Sequence, residues 1–405
     1  MVEKADIVVV GAGMVGLAAA GALVQALAGR WRVILVDAAD PIAPVDTPIK
    51  TLRVSALSPA SLAQIDALGA LDTIVAAAQV YRDMRVWDAS GGPFEPGAVH
   101  FSAADGPHTT LGSIVENARV RAALLSAVSE HGVDVRFNKR LVKLDQQRGG
   151  QRLQFADDSA IDARLVVGAD GANSVTRRLL GVESAVKHYT QSALVCHANA
   201  ELSHEATAWQ QFNPDGPLAL LPLADGRVSI VCSSQHQHVA ELVGATDAAL
   251  GDALTDLSNN ALGRLQPDSA RASFPLSAAQ AARYSVGRAV LIGDAAHRVH
   301  PLAGQGANLG FADVTELVAQ LIAVRASHDP GEDSALRRFA RRRRREARQT
   351  IIALDGLQRL FDGDSPARRR VRINGMRWFD AVPAAKRVAM MAAMGVDLAS
   401  RTSAT

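Results

Sequence analysis

The sequence predicts an α/β chain in which a parallel sheet flanked by helices is interrupted by an antiparallel sheet and followed by a helical C-terminus. Three observations carry this. Apolar residues 7–10 run into Gly11-Ala12-Gly13-Met14-Val15-Gly16 and then an alanine-rich helix towards Ala28, the strand–turn–helix order of a nucleotide-binding βαβ unit. Residues 181–284 break into short apolar runs at 193–200, 207–212, 218–223 and 228–233, separated by turns such as Pro214-Asp215-Gly216 and Asp225-Gly226, the pattern of an antiparallel sheet. From about residue 329 Phe339, Ile351, Leu354 and Phe361 lay an apolar stripe along an arginine-rich helix.

In the first loop Gly11 permits a tight turn, Gly13 lets a pyrophosphate approach the backbone, and Gly16 lets helix and strand pack closely. Met14 and Val15 complete that loop. A second apolar strand, 33–36, ends in Asp37, about twenty residues beyond the last glycine, where a carboxylate accepts hydrogen bonds from ribose hydroxyls. The first domain therefore reads as Rossmann-like. Apolar residues 165–167 lead into Asp170-Gly171-Ala172-Asn173-Ser174-Val175-Thr176-Arg177, which reads as an N-capped helix or as a ligand loop. A third apolar run, 289–292, ends in Gly293-Asp294 and passes through His300, Pro301, Gly304, Gln305, Gly306, Ala307 and Asn308 into another apolar-periodic helix. Such a turn aims free backbone N–H groups and a positive helix end at one point, which suits phosphate or an anionic ring.

The spacing of His300, Pro301, Ala303, Gly304, Gln305, Gly306, Asn308, Gly310 and Asp313 resembles the signature of the ubiquinone-biosynthesis FAD-dependent hydroxylases, the 2-polyprenylphenol monooxygenases. Further likenesses, Thr51 to Leu57, Val115-Glu116-Asn117 with Arg121, and Trp209 to Pro217, carry the resemblance along the whole chain. It implies the aromatic-hydroxylase fold: an FAD-binding domain from residues 1–72, 98–180 and 285–328, a substrate domain from 73–97 and 181–284, and a helical region, 329–405. It also implies that FAD is bound by Gly11, Gly13, Met14, Val15, Gly16, Asp37, Arg53, Arg121, Asp170, Gly293, Asp294, Gly304, Gly306, Ala307 and Asn308. His300, Pro301, Gly304 and Gln305 would form the flavin's surroundings. The reaction so implied takes electrons from NADPH or NADH and oxygen from O2, and hydroxylates a polyprenylphenol through a flavin hydroperoxide. Asp37 stands where the family more often has Glu, and Arg298 replaces a small polar residue.

The residues themselves leave several points open. His297 or His300 can assist phenol deprotonation or simply bond backbone. Phe212, Leu218, Leu220, Leu221 and Pro222 are either the walls of a prenyl path or ordinary core. No side-chain set resembles a nucleophile with its base, so the oxidising power falls to the cofactor. The alternatives are a hydroxylase of another hydrophobic phenol and a flavin-binding scaffold subunit of a quinone-biosynthesis complex; the tryptophan motif of the flavin halogenases is missing.

Composition narrows the classes. The chain has 405 residues, 48% of them hydrophobic, and no apolar run reaches a bilayer-spanning length of about 18 residues; a cytoplasmic enzyme is expected. Cys196 and Cys232 are isolated within apolar runs, which points to small core residues, and no cluster has metal-ligand spacing. Net charge is only +2, yet arginines 341–345 and 368–370 concentrate positive charge near the C-terminus. That run is a solvated helical face, or it draws the enzyme to the inner membrane surface or to a lipid-binding accessory protein. Nucleic acid is excluded as a partner, because the run lacks interleaved aromatics.

Overall fold

The computed structural model describes residues 2–27, 30–39, 52–106, 108–300, 304–324, 329–361, 363 and 365–395. Among these residues the strands form sheets of eight, nine and three strands. In the eight-stranded sheet Glu3–Val10 lies parallel to both Ala160–Gly168 and Val33–Val36, and Ala289–Leu291 and Asp134–Arg136 extend the parallel set on either side. Val10 pairs with Gly168, and Gly168 with Leu291. The three apolar strands that precede the three glycine motifs therefore end side by side, which brings the loops after them to one edge.

These strands read as near-continuous apolar runs because both faces are buried. Ile7, Val9, Leu35, Leu165 and Val167 pack against the helices Met14–Ala26, Asn117–Glu130 and Gln305–Ala323. On the opposite face Val8, Val10, Ile34 and Val166 meet Leu153 and Phe155 of an antiparallel pair of strands, Leu141–Gln147 and Gly150–Phe155. Each such side chain contributes about 1.5–3 kcal/mol on burial, so the edge that carries the loops stands on a rigid base.

The nine-stranded sheet places Ser184–Ala200 between Ala272–Ala281 and Val228–Gln235, and continues through Gly216–Pro222 and Thr207–Asn213. The four runs expected to be strands fall in four of these, antiparallel to one another where they pair. Two helices the alternation did not foretell, His236–Gly244 and Asp247–Leu257, cover one face over Leu194, Cys196, Leu218, Leu220, Ile230 and Cys232. Thr207–Asn213 also pairs in parallel with Asp83–Asp88, which in turn pairs with Val99–Ser102. The sheet thus extends beyond residue 97, where the sequence reading ended that piece.

The C-terminal part is helical, over Asp333–Phe361, Pro366–Ala381 and Pro383–Ala393. It is fastened to the nine-stranded sheet. Phe361 stacks on Phe212 with ring centroids 3.8 Å apart, and Arg372 Nε lies 2.7 Å from Asp88 Oδ2, both residues buried. The arginine run is not uniformly solvated: Arg341, Arg344 and Arg345 are exposed, but Arg343 is buried.

Candidate active site

The helix Met14–Ala26 begins at Gly13 with no side-chain cap and no acid in its first turn, which leaves its N–H groups to a ligand. Gly11 has φ +110°, and its N–H donates to Val36 O at 2.7 Å, tying the loop to the second strand. A Cβ on Gly16 would sit 1.9 Å from Gly11 O, whereas a Cβ on Gly13 would meet nothing within 4 Å. Helix and strand thus touch at Gly16, and at exposed Gly13 the backbone is open to approach. Met14 and Val15 are half-buried beside it. Asp37 accepts hydrogen bonds from Ala12 N–H and, at 2.7 Å, from Ala39 N–H. Arg121 Nε donates to Ala12 O at 2.8 Å, so this arginine, named from a faint likeness, braces the same loop.

The second motif is bound to the third. Asp170 accepts from Thr176 N–H at 2.8 Å, Thr176 Oγ1 at 3.0 Å and Ser174 Oγ, while Ser174 caps the helix at Arg177 N–H. The Asp170 side chain thereby holds its own cap, and the residue, expected to bind the cofactor, is half-buried at the loop. Arg177 reaches across to Ala295 O and Ala172 O, both at 2.9 Å.

In the third motif Gly293 takes φ +57° and starts a 3-10 turn, Gly293–Ala295, that leaves Asp294 exposed. Gly304, at φ +62°, is the N-cap of Gln305–Ala323, and that helix too starts without a side-chain cap or an acid among the described residues. A Cβ on Gly304 would lie 3.0 Å from Ala56 Cβ, and one on Gly306 would meet nothing within 4 Å. Gln305, Gly306 and Ala307 are half-buried. The Asn308 side chain is engaged within the protein: its Oδ1 accepts from Ser58 N–H at 2.9 Å and Ser61 Oγ at 2.8 Å, and its Nδ2 donates to Ala56 O at 2.9 Å. That side chain fastens the loop helix to residues 56–61. Pro301, with Leu302, Ala303 and Thr51, lies outside the described residues.

One face of the nine-stranded sheet meets residues 52–53 and the third motif at His300. Leu52 packs on Val195 and Ala272, the Arg53 guanidinium lies 5.7 Å from the Phe274 ring centre, and the Tyr189 ring stands edge-on to His300 at 5.0 Å. Strand alternation puts Ala219 and Leu221 on the face of Val231, since Ala219 pairs with Val231. Pro217, Ala219, Leu221 and Val231 are half-buried, and Val231 packs with Leu52 and the Tyr189 cluster, so the face they share is apolar. Leu218, Leu220 and Pro222 point the other way and are buried, the first two in the core under the helices, so they are not walls of a substrate path. Phe212 is occupied by Phe361.

Burial makes His300 a weak proton acceptor near neutral pH, and His297 is held by Asp313. Burial first, and the nearby Lys187 charge second, push His300 down to about 4, against a smaller opposing effect of Asp355. His297 donates from Nε2 to Asp313 Oδ2 at 2.6 Å, and both residues are buried. Asp313 entered the sequence reading only as a signature position, without this role, and Arg343 was not singled out at all. Arg343 was hidden in an arginine run, but its spacing from Leu336, Phe339 and Ala347 is that of the helix's buried stripe.

The residues present fit FAD: two uncapped helix starts that offer N–H donors, open backbone at Gly13, and acceptor carboxylates at Asp37 and Asp294. The FAD binding domain family matches residues 4–353. The mitochondrial ubiquinone biosynthesis monooxygenase COQ6 of Danio rerio is 33% identical, covering 95% of this chain and 88% of the relative. The 3-demethoxyubiquinol 3-hydroxylase of Escherichia coli is 33% identical, covering 97% and 99%, and the ubiquinone hydroxylase UbiL of Rhodospirillum rubrum is 33% identical, covering 97% and 90%. In fold the chain is similar to p-nitrophenol 4-monooxygenase PnpA of Pseudomonas putida, with TM-score 0.77 at 20% identity over 96% of this chain and 98% of that one. It is also similar to Klebsiella pneumoniae HpxO complexed with FAD and uric acid, with TM-score 0.74 at 19% identity over 98% of each. With the family spanning most of the chain and relatives a third identical along nearly its whole length, the chain belongs to the FAD-dependent monooxygenases that act as hydroxylases in ubiquinone biosynthesis.

Proposed function

We propose that the chain hydroxylates the aromatic ring of a polyprenylphenol intermediate of ubiquinone biosynthesis, with NADPH or NADH as transient electron donor and O2 as oxygen source. The observation that carries this reading is the half-buried apolar face of Pro217, Ala219, Leu221 and Val231, on the sheet whose Val231 packs with Leu52 and whose Tyr189 meets His300 of the third motif. A phenol with an isoprenoid tail needs such a surface next to the cofactor, because every methylene left in water costs about 0.8 kcal/mol. FAD, when bound, supplies the redox chemistry and the activation of O2. The protein's part is placement and electrostatics. The N–H groups at Gly304 to Ala307 and the positive end of their helix favour negative charge on a ring held against them. The sheet face excludes water from the same place.

On this reading FAD lies along the three loops, with Gly11 to Gly16 at the pyrophosphate, Asp37 at the ribose and Asp294 at the ribityl hydroxyls. Arg121 braces the first loop, and Arg53 supplies charge at the rim of the ring. The discontinuous division of the chain follows, with the eight-stranded sheet as FAD domain and the nine-stranded sheet as substrate domain. A hydrogen bond to a charged acceptor contributes about 1.5–3 kcal/mol, so Asp37→Ala and Asp294→Ala should each weaken FAD binding by roughly one to two decades. Flavin fluorescence titration measures this, and unchanged affinity in both variants would remove FAD from these loops.

Deleting the gene should lower ubiquinone and accumulate a prenylphenol short of one oxygen, whose mass and ring position name the step. A strain without a redundant hydroxylase that still makes normal ubiquinone would rule the function out.

A lipid substrate also has to be collected. Arg341, Arg344 and Arg345 are exposed on the helix that carries exposed Ile352 and Leu357, and the next helix exposes Val371 and Trp378. Basic and apolar groups together suit an anionic membrane surface. Among the described residues no helix is long and apolar enough to cross a membrane. Replacing Arg341, Arg344 and Arg345 with Gln, and leaving the buried Arg343 alone, should reduce co-sedimentation with anionic vesicles at low salt and have little effect at high salt. Equal vesicle binding by variant and wild type at low salt would reduce the cluster to a solvated face.

A further inference from the structure

Arg343 lies on the buried face of the long C-terminal helix, in the stripe otherwise formed by Leu336, Phe339 and Ala347. Its Nε donates to Asp313 Oδ1 at 2.6 Å, its Nη2 to Leu309 O at 3.2 Å, and its Nη1 to Glu346. Asp313 is 0% exposed. Its second oxygen accepts from His297 Nε2 at 2.6 Å and from the backbone N–H of Gly293 at 2.8 Å. Gly293 is the left-handed residue immediately before Asp294. One carboxylate thus joins the turn that presents Asp294, the strand that leads to His300, and the helix whose start is Gly304 to Ala307.

We propose that Arg343 is a positioning residue for FAD, acting through Asp313 to hold the Gly293 turn and the start of the loop helix in the geometry that the cofactor meets. A buried carboxylate is tolerated only when paired and hydrogen-bonded. Burial drives the Asp313 carboxyl upward, but His297 and Arg343 outweigh it and keep the group below the ordinary carboxylate range. As an anion it accepts the Gly293 N–H more strongly than a neutral oxygen would. Without Arg343 the carboxylate either takes up a proton or turns towards His297, and the Gly293 turn loses its fixed acceptor. The Nη2 bond to Leu309 O braces the first turns of the loop helix at the same time.

The inference rests on the reading that places FAD against Asp294. A residue of merely structural value would lower thermal stability and leave the FAD affinity of the folded chain alone. The test therefore compares the FAD-reconstituted full chain carrying Arg343→Lys, Arg343→Met, Asp294→Ala or Phe339→Leu, the last a change on the same buried face. FAD Kd, visible circular dichroism of the bound flavin and Tm are measured for each. Arg343→Met should weaken FAD binding roughly 10- to 100-fold, with Arg343→Lys between it and wild type. Both should alter the flavin dichroism, while Phe339→Leu lowers Tm with Kd unchanged. Should Arg343→Met fail to fold, Arg343→Lys decides the matter by the same readouts. Wild-type Kd and dichroism in the Arg343 variants, with binding weakened in Asp294→Ala, would overturn the proposal alone. Wild-type Kd in Asp294→Ala as well would overturn both, by removing the cofactor from this turn.

Discussion

Gly16→Ala should yield a chain that is poorly folded and free of flavin, whereas Gly13→Ala should fold like wild type and still fail to hold FAD tightly. The two glycines sit three residues apart in one loop and have opposite surroundings. A methyl at Gly16 would lie 1.9 Å from Gly11 O and 3.2 Å from Ala169 Cβ, contacts that only a backbone shift can relieve. Overpacking costs typically about 1–3 kcal/mol and occasionally more, and the parts that must move here are backbone, the first strand and the loop itself. At Gly13 φ is −75° and a methyl meets nothing within 4 Å, so the fold bears little cost. The space it fills is the one a pyrophosphate needs to reach the helix N–H groups. At least tenfold weaker binding, about 1.4 kcal/mol, is expected for Gly13→Ala, with Tm of the FAD-free chain within a few degrees of wild type. Wild-type FAD affinity in Gly13→Ala would mean that the phosphates lie elsewhere.

The parts of the fold that were legible in the sequence are those where local pattern and tertiary role coincide. Apolar runs 7–10, 165–167 and 289–292 could be read as parallel strands because burial on both faces leaves no alternation to confuse them, and each ends in a glycine motif whose turn chemistry is local. Likewise the runs from 193 to 233 were readable as strands, but not the direction of their faces. Leu218 and Leu221 look equally suited to a substrate wall, and only the register with Val231 and the helices over Leu218 separate them. Asp170 and Asn308 show a different limit. Their motif positions mark them as ligand-loop residues but do not reveal that their side chains are also tied to Ser174 and Thr176 in one case and to Ser58 and Ser61 in the other. Arg343 could not be told from its charged neighbours by composition; its place on the apolar stripe was the usable signal.

Stability should fall as pH drops from about 6.5 to about 4, in part because His300 resists protonation in the folded chain. The His300 ring is 1% exposed and packs edge-on against Tyr189, and burial, helped by the Lys187 charge, favours its neutral form. Lys187 is itself paired with Asp355 on the long C-terminal helix, and Tyr189 Oη donates to the same carboxylate at 3.3 Å, so the ring lies at the junction of sheet and helix. In the unfolded chain the imidazole takes up a proton near its ordinary pKa of about 6.5, whereas the folded chain accepts it only near 4. Within that window the unfolded state binds more protons, so acid favours unfolding; above it both states are neutral, and below it both are charged. At 1.36 kcal/mol per pKa unit, the full linkage is about 3 kcal/mol. His300→Gln removes the titrating ring, so its urea unfolding free energy should decline less between about pH 7.5 and pH 4.5, by about 2–3 kcal/mol, while other groups titrate alike in both proteins. Parallel pH profiles for wild type and His300→Gln would show that the ring is protonated as easily in the folded chain as outside it, and would restore His300 as a candidate acid–base group beside the flavin.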